Sequence, residues 1–345
     1  MKSKALFKNG KGELFLEECT LSPPDDSQLL VKVHASLIST GTETSAIIKA
    51  RNSPAEGKKE QTGYCIAGIV LEAGKNAAGF AKGDRIIAIE WGRAYHADHV
   101  VVNYNVAAKI PDGIPFEEAV FATLAGTSLH AVRRVRPMLG EYMVVIGGGL
   151  IGQFCAQFGR AAGCRVIMMD RHDSRLAIAS TLGAEWTVNP KKVNPVDAVL
   201  SFTEKRGADM GIIAFGGEGT EAFNQLVKMM PTPPDGQKLG RISITGLCDI
   251  TMSCGNFIGN IDIFGATKCG AGYRDEAYHR GASYTPGYVR WTIRDNLVEI
   301  LREMSAGIFR VKPLLTHRFP FEKAPEAYEK IMNNKDEVLG TVLVY

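Results

Sequence analysis

Residues 142–152 read Y-M-V-V-I-G-G-G-L-I-G, and Asp170 ends the next apolar run, V-I-M-M-D. A strand, a Gly-x-Gly-x-x-Gly turn, a helix start and a second strand closed by a carboxylate are the parts that hold a dinucleotide. Gly147 permits the tight turn, Gly149 lets main chain approach a pyrophosphate with no Cβ in the way, and Gly152 lets the helix pack on its strand. Leu150 and Ile151 open that helix, whose free N–H groups and dipole favour phosphate. Asp170, eighteen residues after Gly152, stands where a carboxylate accepts from a ribose 2′-OH, which favours NAD. Arg171 beside it could serve a 2′-phosphate, so NADP stays open.

These groups need elements to position them. Up to about residue 115 the chain is β-rich: L-L-V-K-V-H-A, G-I-V-L-E-A-G, D-R-I-I-A-I-E and D-H-V-V-V-N are short runs separated by turn residues. The polar stretch 52–60 reads as a mobile break. From residue 115 strand and helix alternate, starting with the helix pattern F-E-E-A-V-F-A-T-L-A-G-T-S-L-H-A-V. Such alternation predicts a doubly wound parallel sheet with helices on both faces. A helical pattern spans 288–307, with Trp291 expected to anchor its packing. P-L-L-T-H-R-F-P-F and G-T-V-L-V-Y are strands that return to the N-terminal β region, because the parallel sheet is already filled.

Composition frames this reading. A chain of 345 residues, 45% apolar, suits two domains with sizeable cores. A net charge of +3 gives no basis for nucleic-acid binding. No apolar run reaches the ~18 residues of a membrane span, and M-K-S-K-A-L-F-K lacks a signal-peptide core, so no membrane association and a cytoplasmic location are expected. The seven cysteines are dispersed without a C-x-x-C pair, as reduced thiols are.

On S-T-G-T-E at 39–43, T-G-Y-C-I-A-G-I-V, K-G-D-R-I, G-T-S-L-H-A-V, the dinucleotide unit and F-E-K-A-P-E-A-Y-E, the whole chain resembles the medium-chain dehydrogenase/reductase superfamily. The resemblance implies an α/β protein with a β-rich GroES-like catalytic domain at 1–121 and 276–345, and a Rossmann domain at 122–275. It also implies a homodimer or homotetramer, and substrate in the cleft between domains. S-T-G-T-E, Y-V-R-W-T-I-R-D-N and L-T-H-R-F-P-F are similar to a subgroup around sugar and glycoside dehydrogenases. S-T-G-T-E also resembles bacteriochlorophyllide dehydrogenases.

Zinc members of the superfamily place metal ligands at three points, which here carry Thr40 or Ser39, then Tyr64 followed by Cys65, then Ala122 and Thr123. A catalytic zinc wants three nitrogen, sulfur or carboxylate ligands, so no metal is expected. His96 and His99, three apart in an apparent strand, would face opposite sides. Without a metal, donors and an acid–base must handle the alkoxide. Thr42 matches the family's proton-passing hydroxyl and Glu43 its carboxylate behind the metal; Tyr64 fills a ligand position, and His96 is a titratable group nearby. Glu43 has a second reading as a carboxylate at a helix start. Thr127 matches a hydroxyl beside the nicotinamide.

Segment 269–288 is dense in Tyr, Arg and Gly, which suits polyol recognition. Trp91, Arg274 and Tyr278 are the substrate candidates, with Asp275 and His279 for substrate or subunit contacts. The reading is an NAD-dependent oxidoreductase moving hydride between nicotinamide and a secondary alcohol or ketone of a sugar, glycoside or cyclitol. The alternatives are a zinc-free enone or quinone reductase and a non-catalytic dinucleotide-binding protein.

Overall fold

The computed structural model describes every residue except Ala78 and Lys335. The chain forms two compact units. The first comprises Met1–Gly126, Gly270–Gly307 and Val311–Tyr345; the second comprises Thr127–Cys269 and Ile308–Arg310. The sequence reading set these junctions at 121/122 and 275/276, and did not anticipate the return of 308–310. Phe309 explains that return: its ring stacks on Phe158 at 4.8 Å and tilts against Phe154 at 5.2 Å, while the Arg310 N–H donates to Gln157 Oε1 at 2.8 Å.

The first unit opens with β1 (Lys2–Asn9), β2 (Leu14–Thr20), β3 (Gln28–Ile38), α1 (Thr42–Asn52), β4 (Lys59–Gln61), β5 (Cys65–Ala73), β6 (Arg85–Ile89), β7 (His99–Asn103) and β8 (Ala107–Lys109). Stretch 52–60 is tied down rather than a loose break: the Ala55 N–H donates to the Gly10 carbonyl, and β4 pairs antiparallel with the end of β1. Two helices follow, α2 (Phe116–Ala119) and α3 (Phe121–Arg134), the latter running on into the second unit.

In the second unit lie β9 (Tyr142–Ile146), α4 (Leu150–Ala161), β10 (Arg165–Met169), α5 (Asp173–Thr181), β11 (Trp186–Val188), α6 (Pro195–Phe202), β12 (Met210–Ile213), β13 (Gly217–Glu218), α7 (Thr220–Met229), β14 (Leu239–Thr245), β15 (Cys248–Asp249) and β16 (Asn260–Ala266). Its six-stranded sheet has the order β11-β10-β9-β12-β14-β16, every neighbour parallel. That is the doubly wound order with its reversal between β9 and β12, where ligands of such sheets bind. All five residues of β9 are buried, as expected of a strand covered on both faces.

The chain closes with α8 (Glu276–His279), α9 (Ile293–Ser305), β17 (Leu315–Pro320), α10 (Ala324–Asn333) and β18 (Gly340–Val344). β18 pairs antiparallel with β3 and completes a seven-stranded sheet running β17-β18-β3-β5-β6-β8, with β7 paired to β3. The helical pattern over 288–307 narrows to α9, which starts right after its N-cap Thr292, with Asp295 in its first turn completing a capping box. Trp291 therefore precedes the helix and is exposed, which corrects its expected packing role. Segment 269–288, read as one loop, contains α8. No helix among the described residues is long and apolar enough to cross a membrane.

Candidate active site

The candidate residues fall into two sets, one in each unit. In the second, the β9–α4 turn is shaped for a ligand. Gly147 has φ 106°, a left-handed value that favours glycine. At Gly152 a Cβ would overlap the Gly147 carbonyl oxygen, so helix and turn touch there. Gly149 is different: its φ of −68° and ψ of −179° suit any residue, and a Cβ there would meet nothing within 4 Å. Nothing within the protein demands glycine at this point, whereas a pyrophosphate against main chain would.

Leu150 and Ile151 open α4, and its N-cap supplies no side-chain partner for the first-turn N–H groups. Asp170 follows β10; its Oδ2 accepts from the Gly148 N–H at 2.6 Å and its Oδ1 from the His172 N–H at 2.8 Å. These bonds fix the carboxylate at the turn's edge. Arg171 is exposed beside it, and Arg175 Nη1 stands 3.8 Å from Asp170 Oδ2. Thr127, half-buried in α3, lies 3.5 Å from Cys269 Sγ. The turn, the helix start and the carboxylate fit a dinucleotide.

In the first unit the structure brings Thr42, Glu43, Tyr64 and His96 into one neighbourhood. His96 lies ahead of β7, not within a strand, so the expected His96/His99 alternation does not arise. Its Nε2 stands 3.1 Å from Glu43 Oε2 and its Nδ1 2.7 Å from Ser36 Oγ. Glu43 Oε1 accepts the Ser39 N–H at 2.8 Å, and the Tyr328 hydroxyl donates to Oε2. Ser36 Oγ reaches the Tyr345 hydroxyl at 2.9 Å. The side chains of Glu43 and His96 are both 0% exposed, which decides their part: neither can touch a substrate in this arrangement. The helix-start reading of Glu43 holds in modified form, because the N–H it satisfies belongs to Ser39, two residues before the Gly41 N-cap.

Tyr64 is half-buried and Thr42 exposed, so these two are the members open to a ligand. Burial pushes the Tyr64 phenol well up, helped by the charges of Cys65 and Glu43. The Ser39 and Thr42 hydroxyls, within hydrogen-bonding reach, oppose the shift. Burial and the Glu43 charge likewise raise Tyr328. Both phenols therefore hold their protons. Ser36, Tyr328 and Tyr345 escaped the sequence reading, since the Tyr328–Glu43 contact spans 285 positions and no local spacing encodes it.

The Trp91 ring tilts against Tyr64 at 5.8 Å, and the Trp91 backbone N–H donates to the Tyr273 hydroxyl at 3.0 Å. Segment 270–288 thus reaches the Tyr64 neighbourhood through Tyr273. Arg274 is exposed with φ 57°. Tyr278 is buried against Tyr284, so this substrate candidate packs the segment rather than facing a ligand. Asp275 caps α8 and accepts from Tyr284, and His279 is enclosed beside Glu90.

Among the described residues no group of three or more His, Cys, Asp or Glu is arranged to hold a metal. The family's ligand points carry the hydroxyls of Ser39, Thr40 and Thr123, the Tyr64 phenol that holds its proton, the buried Cys65 thiol and Ala122, and both Glu43 oxygens already accept hydrogen bonds, so one soft donor stands where a catalytic zinc wants three ligands.

Residues 151–260 match the family described as zinc-binding dehydrogenase. With the doubly wound sheet and the separate β-rich unit, this match supports the resemblance of the chain to the medium-chain dehydrogenase/reductase superfamily. Among curated proteins it is similar to 2-dehydro-3-deoxy-L-galactonate 5-dehydrogenase of Pseudoalteromonas atlantica, 28% identical over 174 residues, covering 43% of this chain and 51% of the relative. It is also similar to D-guloside 3-dehydrogenase of Escherichia coli (strain K12), 30% identical over 159 residues, covering 46% and 45%. The chain thus spans about half the length of these relatives. A solved Escherichia coli oxidoreductase/dehydrogenase of unknown specificity shares the fold, with TM-score 0.81, 19% identity, and coverage of 100% and 99%.

Proposed function

We propose that this protein is a nicotinamide-dependent oxidoreductase that uses NAD and interconverts a secondary alcohol and a ketone on a sugar, glycoside or cyclitol. The observation that carries the cofactor half is Gly149, a glycine required by nothing in the protein, at the head of a helix with Asp170 beside it. The named relatives, a galactonate-derivative and a guloside dehydrogenase, support the substrate class. When bound, the nicotinamide supplies or accepts the hydride.

The protein's own part is proton handling. Tyr64, neutral and half-buried, donates a hydrogen bond to the substrate oxygen where negative charge grows, the role a preformed donor serves best. Toward the alcohol, Tyr64 gives its proton to that oxygen and is refilled through Thr42, which is exposed to water. Toward the ketone the same path runs outward. Glu43 and His96 hold this arrangement from behind. Trp91 supplies an aromatic wall for the C–H face of the sugar ring, and Arg274 a donor at the rim. Turnover of NAD(H) with a panel of glycosides and keto-sugars tests the reading, and dinucleotide binding without turnover would support the non-catalytic alternative instead.

One observation favours a second reading, a zinc-free enone reductase. An enone reductase needs no strong general base, and Glu43, the carboxylate of the site, is enclosed; the polar region 274–284 counts against this reading. A neutral phenol donor serves an enone carbonyl as well as a ketone, so enones belong in the same panel.

A further inference from the structure

A second buried carboxylate–imidazole pair in the first unit takes no part in that proton path. Glu90 follows β6 with a side chain 4% exposed, and its N–H donates to the Tyr64 carbonyl at 3.0 Å. It stands at the root of the turn that carries Trp91. His279 ends α8, and its Nε2 lies 3.3 Å from Glu90 Oε1, while the enclosed ring nitrogens have no well-aligned hydrogen bond. Arg93 Nε and Asn103 Nδ2 approach Glu90 Oε2 at 3.5 and 3.4 Å. Arg274, Asp275 and Glu276 are the charged groups of the segment that act on the pair. Two further ties hold the segment to this unit: the Trp91 backbone N–H to the Tyr273 hydroxyl, and Asn105 Nδ2, just after β7, to the Tyr278 carbonyl at 2.6 Å.

We propose that Glu90 and His279 are positioning residues, a proton-holding clasp between the turn after β6 and segment 270–284 that fixes the Trp91 ring beside Tyr64. Its effect on substrate rests on the proposed role of Trp91; the clasp itself does not. Burial pushes the Glu90 carboxyl up to about 7 and the His279 imidazole down, so the enclosed site favours few charges. A carboxyl whose value is higher when enclosed than when opened makes the closed form lose stability as pH rises between the two values, here from the usual carboxylate range to about 7. The imidazole, lower when enclosed, works the other way below its ordinary value, and the larger shift of the carboxyl leaves a clasp that loosens on balance across that window and changes little above it.

The test uses the full chain with Trp186→Phe and Trp291→Phe, which leaves Trp91 as the one remaining tryptophan of three. Acrylamide quenching of its emission is followed from pH 5 to 8.5, with no substrate or dinucleotide present, so the outcome is independent of the catalytic reading. The quenching constant should rise about twofold and level off near pH 7, whereas E90Q, which mimics the protonated carboxyl, should stay at the low value throughout. His279→Gln removes the imidazole and should show the high value already at pH 5, which decides the matter should E90Q fail to fold. A parent curve that is flat, or one that E90Q or H279Q reproduces, overturns the proposal.

Discussion

Tyr64 stands half open to a ligand with a phenol that burial keeps protonated, and that single state fixes what its removal should do. Tyr64→Phe should lower kcat by about a hundredfold, the scale of one lost transition-state donor, while dinucleotide affinity stays as it was. An unchanged kcat would remove Tyr64 from the site. The raised phenol also sets a pH profile: ketone reduction should be level through neutral pH, and alcohol oxidation should climb on the alkaline side as solvent takes the released proton more readily. Steady-state rates in both directions check this. Thr42, Glu43 and Tyr64 were legible from the family pattern of S-T-G-T-E and T-G-Y-C, and His96 only as a titratable group nearby. Their division into exposed and enclosed members was not, because it depends on Tyr328, Ser36 and Tyr345 closing around Glu43 and His96 from other elements.

At the scale of elements, the β9–α4 turn separates two kinds of glycine. Gly152→Ala would drive a Cβ into the Gly147 carbonyl, so both thermal stability and dinucleotide binding should fall. Gly149→Ala meets no protein atom and should leave the melting temperature in place while weakening dinucleotide binding about tenfold, or about 1.4 kcal/mol. Equal effects of the two substitutions, read by thermal melts and calorimetry, would contradict this division. The strand–turn–helix was readable because its periodicity and glycines are local. Segment 269–288 was not, because α8 spans only Glu276–His279 and is held by Asp275 capping and by Asn105 and Glu90 from distant turns of the chain. Trp291 misled for a related reason: it sits in a helix-like pattern, yet Thr292 and Asp295 start the helix one residue beyond it.

The whole molecule combines a doubly wound sheet in one unit with a β-rich unit that carries an enclosed hydrogen-bond network around Glu43 and His96, and the proposed proton path needs no metal. Turnover should therefore survive exhaustive chelation, and elemental analysis should find well under one zinc per chain. A stoichiometric zinc whose removal abolishes activity would overturn the proposed proton path while leaving the dinucleotide site intact. The account as a whole turns on the second unit holding a nicotinamide dinucleotide, and isothermal titration of the intact chain with NADH addresses that directly. One site per chain, with affinity that drops in Gly149→Ala, is the predicted result; no heat with NAD, NADH, NADP or NADPH would contradict it.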